Sequence, residues 1–400
     1  MRVSRWAATA AAAVLTVGCA QIEGVLEEAD RRFVRTFEGL PAALPLWPAD
    51  QEASAGARPR EPSDDGGGRN APAAAAEGPG LQAASALAHA QSDGARARAI
   101  ADLERLAQAG DAEAQYALGR AYGDGRGVPQ NLSEANRLFL AAADQGHMRA
   151  EAMAARAAYF GYGRPRDRIE AARRFDRAAA AGVPEAEYQF GLMLMQGGAV
   201  SADPPRGLAL LERAAEAGHP QAQYAAGVAV SEGRGGPANA AWAARWYAKA
   251  AAQGVPTAQY MIGLYRIVGE ALPRDWTRAY GWLTLAARNE VEAAEAMRAD
   301  LAARLDGPAR EQGLAFAERF AAAPSAGGVH DDPPSVTFVQ WALHGAGFDP
   351  GPVDGALGPM TTAALKDFQR SVGLAPDGVL GPRTLAALRR ETDGSAEAGR

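Results

Sequence analysis

The chain has 400 residues, more than one ordinary domain needs, so the sequence predicts at least two folded units. Of these residues 48% are hydrophobic and only 7% aromatic, and the abundant alanine favours closely packed helices because of its high helix propensity. The net charge of −6 leaves no cationic surplus to drive nonspecific nucleic-acid binding. The single cysteine excludes an internal disulfide and a thiolate zinc site.

The first 18 residues have the pattern of a secretion signal. Two arginines precede an apolar stretch over 6–17, which is too short to span a bilayer. The run Leu15-Thr16-Val17-Gly18-Cys19 resembles the lipobox of bacterial lipoproteins. The resemblance implies cleavage before Cys19, lipidation of its thiol and, because Ala20 follows, attachment to the inner leaflet of the outer membrane, facing the periplasm. The alternative is an ordinary secretion signal with an incidental cysteine.

Residues 19–80 are predicted to form a flexible tether. From residue 51 to residue 80 the chain consists mainly of Ala, Gly, Pro, Ser and charged residues, and such a segment buries too little apolar surface to fold. Apolar side chains at helical spacing over 21–37 predict a short amphipathic helix. This helix would contact a partner or the membrane, or pack on the folded part of its own chain.

Residues 81–323 carry an internal repeat of 36 residues. The repeat is seen first in a column of glycines: Gly110, Gly146, Gly182, Gly218 and Gly254. Each repeat predicts two helices joined by a Gly-rich turn, with Ser133 as an N-cap and Gly146 as a C-cap in the first repeat. One hairpin cannot bury its own apolar face, so the repeats must stack on one another.

The motif Ala-Gln-Tyr-x-x-Gly, which begins at Ala114 in the first repeat, resembles the Sel1-like repeat, a relative of the tetratricopeptide repeat. The resemblance implies an all-α solenoid that binds proteins, with helical caps at 82–109 and 291–323. The second repeat has Ala152 and Ala155 where tyrosine and glycine belong, which predicts looser or rearranged packing there.

Two features of the repeats invite other interpretations. The Gly-rich turns do not follow a strand and lack a Gly-Lys-Ser/Thr sequence, so they do not predict a phosphate-binding loop. Trp242, Trp246 and Trp282 are predicted either to pack within the repeats or to mark a binding surface.

A linker, 324–334, precedes a second kind of domain. Residues 335–391 contain a duplication with a step of 23, seen in the turns Asp354-Gly355 and Asp377-Gly378. Each turn is followed by Gly-Pro, and this proline predicts the start of a helix because proline is favoured at the first helical position. With a preceding helix this predicts three helices, whose core is expected to be Leu343, Leu365, Phe368, Leu385 and Leu388. Residues 392–400 are predicted to be a disordered tail.

This domain resembles the peptidoglycan-binding domain 1 family. The resemblance rests on Val339-Gln340, Gly347-Phe348, Gly351-Pro352-Val353-Asp354-Gly355, Phe368-Gln369 and Gly373-Leu374. It implies noncovalent binding of peptidoglycan in a shallow groove.

The candidate peptidoglycan-binding residues differ in their expected roles. Gln369 is the polar residue expected at the groove. Phe338 and Trp341 are expected to stack on a sugar or, alternatively, to pack on the domain surface. Asp354 and Asp377 are interpreted mainly as caps of loop amides. Each turn brings only one carboxylate, so calcium binding is not expected, and neither is another metal or a cofactor.

The sequence predicts a protein that is not an enzyme. It has no His-Glu-x-x-His and no Gly-x-Ser-x-Gly motif, and the assigned segments leave no room for a catalytic domain. The main hypothesis is an envelope scaffold that binds peptidoglycan and recruits an envelope protein through its repeats. An activator or regulatory subunit of a wall synthase or hydrolase is the alternative, and a cryptic hydrolase is a third hypothesis.

Overall fold

The computed structural model describes residues 78–269, 271–322 and 333–398, in which every regular element is a helix. In chain order these are α1 Pro79–Ala88, α2 Asp93–Gln108, α3 Ala112–Asp124, α4 Leu132–Ala143, α5 Met148–Phe160, α6 Arg168–Ala180, α7 Pro184–Gln196, α8 Pro204–Glu216, α9 Pro220–Ser231, α10 Ala240–Ala252, α11 Pro256–Val268, α12 Trp276–Arg288, α13 Glu292–Arg304, α14 Gly307–Ala322, α15 Pro333–Gly345, α16 Pro359–Ser371 and α17 Pro382–Ala398. The predicted all-α class is confirmed.

Several sequence predictions fall on residues that the structure does not describe. These are the signal over 1–18, the lipidation site Cys19, the amphipathic helix at 21–37, most of the tether and most of the linker 324–334. Among the described helices, none combines the length and the low polarity needed to cross a bilayer.

The chain divides into two compact units, whose described parts are residues 78–186 and 187–398. In the first unit, α1 and α2 precede the hairpins α3–α4 and α5–α6. In the second, the hairpins α9–α10 and α11–α12 precede α13 and α14, and the C-terminal helices α15–α17 follow. The helices predicted as caps at 82–109 and 291–323 are α1, α2, α13 and α14.

The second helix of every repeat begins at a side-chain cap. An aspartate or asparagine at the same repeat position accepts a hydrogen bond from a backbone N–H in the first turn: Asn131, Asp167, Asp203, Asn239 and Asp275. The prediction that Ser133 caps α4 is wrong, because the helix begins at Leu132 and Asn131 is its N-cap. Short Asn and Asp side chains reach these N–H groups without disturbing the helix.

Within a hairpin, a mid-helix glycine lets the two helices approach closely. A Cβ at Gly119 would lie 2.8 Å from the Phe139 ring, and one at Gly227 would lie 2.8 Å from the Tyr247 ring. The loss of helix propensity at each glycine is therefore offset by the packing of a large side chain from the second helix.

Between repeats, a buried glutamine ties one helix to the helix before it. The Nε2 of Gln115 donates to the Ala107 carbonyl at 3.1 Å, and the Nε2 of Gln223 donates to the Ala215 carbonyl at 3.0 Å. These acceptors lie at the C-terminal end of the preceding helix, where carbonyls have no partner within the helix. Gln223 thus joins two successive repeats, and Gln115 joins the first repeat to the preceding helix α2.

The Gly-rich turns also contact the preceding repeat. Gly163 and Gly235 have φ values of +67° and +89°, and a Cβ on either would overlap the backbone at the start of the previous repeat's second helix, at Leu132 and Pro204 respectively. Arg234, beside the second of these glycines, donates to the Met195 carbonyl at 3.0 Å. The turns are shaped by protein backbone, which accounts for their glycines without a phosphate ligand.

The second repeat is rearranged, as its sequence predicts. Ala152 and Ala155 are fully buried, and the aromatic partner of Phe175 is Tyr159, whose ring centroid lies 6.4 Å away. The corresponding distance in the first repeat, between Tyr116 and Phe139, is 6.1 Å. An aromatic ring two turns further along the first helix therefore takes over the contact.

We predict that Gly163→Ala destabilises the protein more than Gly182→Ala does. Both glycines have positive φ, but a Cβ at Gly182 meets nothing within 4 Å. The control should lose about 1 kcal/mol from backbone strain alone, and Gly163→Ala roughly 3 kcal/mol because overlap is added. Urea unfolding followed by circular dichroism measures both, and equal losses would contradict the proposed junction.

Candidate functional site

The C-terminal domain is built around a small apolar core. Helices α15, α16 and α17 contribute buried side chains that are at most 3% exposed: Leu343, Leu365, Phe368, Leu385 and Leu388. These are the core residues that the sequence predicts. The core positions the two Asp-Gly turns, one before α16 and one before α17.

The first turn is held from below by a buried glutamine. The Nε2 of Gln340 donates to Asp354 Oδ1 at 2.9 Å and to the Ala356 carbonyl at 3.1 Å. The Oε1 of the same side chain accepts from the Gly355 N–H at 2.9 Å, and Thr361 Oγ1 lies 3.2 Å from Nε2. One carboxamide thus satisfies donors and acceptors on both sides of the turn.

The second turn repeats this arrangement around Gln369. Its Nε2 lies 2.8 Å from Asp377 Oδ1, 3.1 Å from the Val379 carbonyl and 3.1 Å from Thr384 Oγ1. Its Oε1 accepts from the Gly378 N–H at 2.8 Å. The duplication in the sequence is therefore a duplicated hydrogen-bond network.

Both aspartates act as caps of their own turns. Asp354 Oδ1 accepts from the Ala356 N–H at 2.8 Å, and Asp377 Oδ1 accepts from the Val379 N–H at the same distance. The hydrogen bond from Gln340, followed by that from the Ala356 N–H, lowers the pKa of Asp354. For Asp377 the Val379 N–H is the larger cause and Gln369 the second. Donors favour the ionised carboxylate in both cases.

The structure changes the expectations for two other candidates. Gln369 is 2% exposed and lies beneath its turn instead of at a groove. Phe338 is 3% exposed, and its ring packs edge-on against Trp242 with 4.9 Å between centroids, so the packing interpretation applies to it. Trp341 is half-buried and keeps a solvent-accessible edge. Contact of any of these residues with peptidoglycan stays a prediction.

Gln340 was not among the candidate binding residues, yet it makes the same hydrogen bonds as Gln369. The signal for it in the sequence is a glutamine that follows a hydrophobic residue in both helices, as Val339-Gln340 and as Phe368-Gln369.

The C-terminal tail predicted over 392–400 is instead helical as far as Ala398, at the end of α17.

The tryptophans of the repeats are packed. Trp246 is fully buried, and the ring of Trp282 lies 5.2 Å from Phe316 and 4.7 Å from Phe320, both on α14. In the part of the chain that the structure describes, no three His, Cys, Asp or Glu side chains are grouped so that they could hold a metal.

Family comparisons agree with this architecture. Five segments match the Sel1 repeat, at residues 112–147, 150–183, 184–219, 220–255 and 256–291. Residues 332–388 match the peptidoglycan binding domain. The chain therefore contains five Sel1 repeats followed by a peptidoglycan binding domain. The two families point to protein–protein interaction through the repeats and to peptidoglycan binding through the C-terminal domain.

A solved structure of a Sel1 repeat protein shares the fold of the repeats. A Sel1 repeat protein from Oxalobacter formigenes is 23% identical, with a TM-score of 0.50, and the match covers 60% of this chain and 97% of that one. A protective antigen of uropathogenic Escherichia coli strains with an SLR fold is 22% identical, with a TM-score of 0.48, over 75% of this chain and 64% of that one. No curated protein matches the sequence significantly.

We predict that Gln369→Ala raises the pKa of Asp377 towards its ordinary value. The Asp354 pKa should not change, because that residue is held by Gln340. A lowered pKa in the folded state stabilises the domain above the ordinary pKa, and this stability is lost as the pH falls through the lowered value. NMR titration of the side-chain carboxyl carbons measures both aspartates, and Gln340→Ala is the reciprocal control. An unchanged Asp377 pKa would contradict the assigned network.

Proposed function

We propose that this protein is a lipid-anchored scaffold of the bacterial envelope that binds peptidoglycan noncovalently and recruits a protein through its repeats. The observation that carries the proposal is the combination, in one chain, of five Sel1 repeats with a folded domain of the peptidoglycan-binding family. The lipobox-like run that ends at Cys19 supports a membrane anchor, with 19–80 connecting it to the repeats.

The use of the ionisable side chains in the repeats supports a role without catalysis. His147 Nδ1 accepts a hydrogen bond from the Ala150 N–H at 3.0 Å, and its Nε2 lies 3.0 Å from Glu113. His219 caps α9, the first helix of the fourth repeat, in the same way, by accepting from the Ala222 N–H at 3.2 Å. Both imidazoles cap the start of a helix, and His147 also bonds to Glu113 in the repeat before it.

Two buried glutamates are similarly engaged. Glu151 pairs with Arg174 at 2.9 Å and also with Arg177. Glu187 pairs with Arg213, although burial raises the pKa of its carboxyl. A raised carboxyl pKa can mark a general acid, but only 4% of the Glu187 side chain is exposed, which leaves a substrate no access. A structural ion pair accounts for it better.

We predict that the mature chain co-sediments with isolated peptidoglycan sacculi and that a chain ending at residue 322 does not. The truncation removes the C-terminal domain and keeps all five repeats. Release of soluble muropeptides into the supernatant is assayed in the same samples, and none is expected.

Each other outcome has a distinct meaning. Failure of the full chain to pellet would refute wall binding and leave a lipoprotein that contacts proteins alone. Muropeptide release would revive the hydrolase hypothesis. A change in the rate of a wall synthase or hydrolase caused by the repeats would favour the regulatory alternative over a passive scaffold.

We predict that Cys19→Ser abolishes incorporation of radiolabelled palmitate and releases the protein from the membrane fraction. Cys19 is the single cysteine, so no second thiol can accept the lipid. Several acyl chains contribute roughly 0.8 kcal/mol per buried methylene, and their loss removes the anchor. Continued labelling of the Cys19→Ser protein would contradict the lipoprotein assignment.

A further inference from the structure

The outward face of α10, the second helix of the fourth repeat, differs from the same face of the other repeats. The residues equivalent to Trp242 are all charged: Glu134, Glu170, Arg206 and Arg278. At the position of Arg245, the first three repeats have exposed residues, Arg137, Arg173 and Ala209. In the fourth repeat Trp242 is buried and Arg245 is only 1% exposed.

What buries this face is the C-terminal domain of the same chain. Arg245 Nε donates to Ser335 Oγ of α15 at 2.9 Å, and its Nη2 donates to Glu216 at 3.0 Å. The guanidinium carbon lies 4.6 Å from the ring centroid of Trp242 and 4.3 Å from that of Trp246. A buried cation is costly unless it is paired, and here a carboxylate, a hydroxyl and two indole faces compensate it.

A second arginine of this contact belongs to the C-terminal domain. Arg389 of α17 donates to both carboxylate oxygens of Glu212 at 2.8 Å, and its guanidinium carbon lies 5.2 Å from the Trp242 ring. Asn239, which caps α10 with its Oδ1, uses its Nδ2 to bind Thr392 Oγ1 and Asp393 Oδ1, both at 2.8 Å. The cap of a repeat helix is thereby joined to the last helix of the chain.

The contact also has an apolar centre. Phe338 of α15 packs on Trp242, with ion pairs and amide hydrogen bonds around the two rings. Buried aromatic and arginine side chains surrounded by polar contacts are typical of the energetically dominant part of a protein interface. The side chains that face the repeat come from α15 and α17.

We propose that the outward face of repeat four is a dedicated docking surface for the C-terminal domain, which it holds in one orientation on the repeats. This goes beyond the proposed function, because it requires neither peptidoglycan nor a second protein. Docking of the domain makes Phe338 and the outward face of α10 inaccessible to any other partner. Exposed apolar side chains of the domain lie instead at its turns and at the start of α16: Leu357, Met360 and Val379.

The test uses the complete mature chain with a specific protease site inserted between residues 326 and 327. After cleavage, the two fragments of the unaltered chain are expected to stay associated in sedimentation velocity runs at micromolar concentration. Arg389→Glu is expected to raise the dissociation constant of the cleaved pair at least tenfold, because two carboxylates would then meet at Glu212. Arg383→Glu, at an exposed position of the same helix, is the matched control and should have no effect.

Folding of the altered domain is checked independently. In the uncut Arg389→Glu chain, NMR titration of Asp354 and Asp377 reports whether the turns of the domain are intact. Separation of the fragments of the unaltered chain would overturn the proposal. So would a dissociation constant that Arg389→Glu and Arg383→Glu change equally. A folded domain with association weakened only by Arg389→Glu would establish the docking surface.

Discussion

Buried carboxamides connect separate backbone segments in both kinds of fold in this chain. A glutamine side chain offers a donor and an acceptor on one planar group, so it can satisfy an N–H and a carbonyl that would otherwise be buried without partners. In the repeats, Gln115 and Gln223 join a helix to the end of the helix before it. In the C-terminal domain, Gln340 and Gln369 each hold a complete turn. Removing Gln340 or Gln369 would take the side-chain acceptor from the Gly355 or Gly378 N–H. The Ala107 and Ala215 carbonyls of the repeats would still accept from the Gly110 and Gly218 N–H groups.

The repeat architecture could be predicted from the sequence because each repeat is a local structure. Helix periodicity, the mid-helix glycine and the C-terminal glycine all lie within 36 residues, so the spacing alone indicates the hairpins. The substitutions at Ala152 and Ala155 likewise indicated a rearrangement. Sequence reasoning could not identify Tyr159 as the replacement ring, because several aromatic residues lie near it in the chain.

The predictions for individual side chains were less successful, and the reason is the distance of their partners along the chain. Gln369 was expected at a ligand surface, and for Phe338 the sequence left open whether it stacks on a sugar or packs on protein. In the structure, Phe338 packs on Trp242 and Gln369 binds the turn at Asp377. Nothing in the periodicity connects Asn239 with Thr392, which follows it by 153 residues. For the same reason, the end of α17 was mistaken for a tail, since its contacts with the fourth repeat are not visible locally.

The Gly-rich turns have a consequence for how such chains change in evolution. Two of these turns fit the beginning of the second helix in the repeat before them: Gly163 fits Leu132, and Gly235 fits Pro204. A repeat is therefore complementary to its predecessor and not only to itself. Duplication or loss of a 36-residue block creates one new junction between sequences that have not been selected together. Such a recombination should preserve stability only where the glycine of the new turn fits the helix start that it meets. Selection should therefore act on the pair of neighbouring repeats that forms a junction, and not on a single repeat.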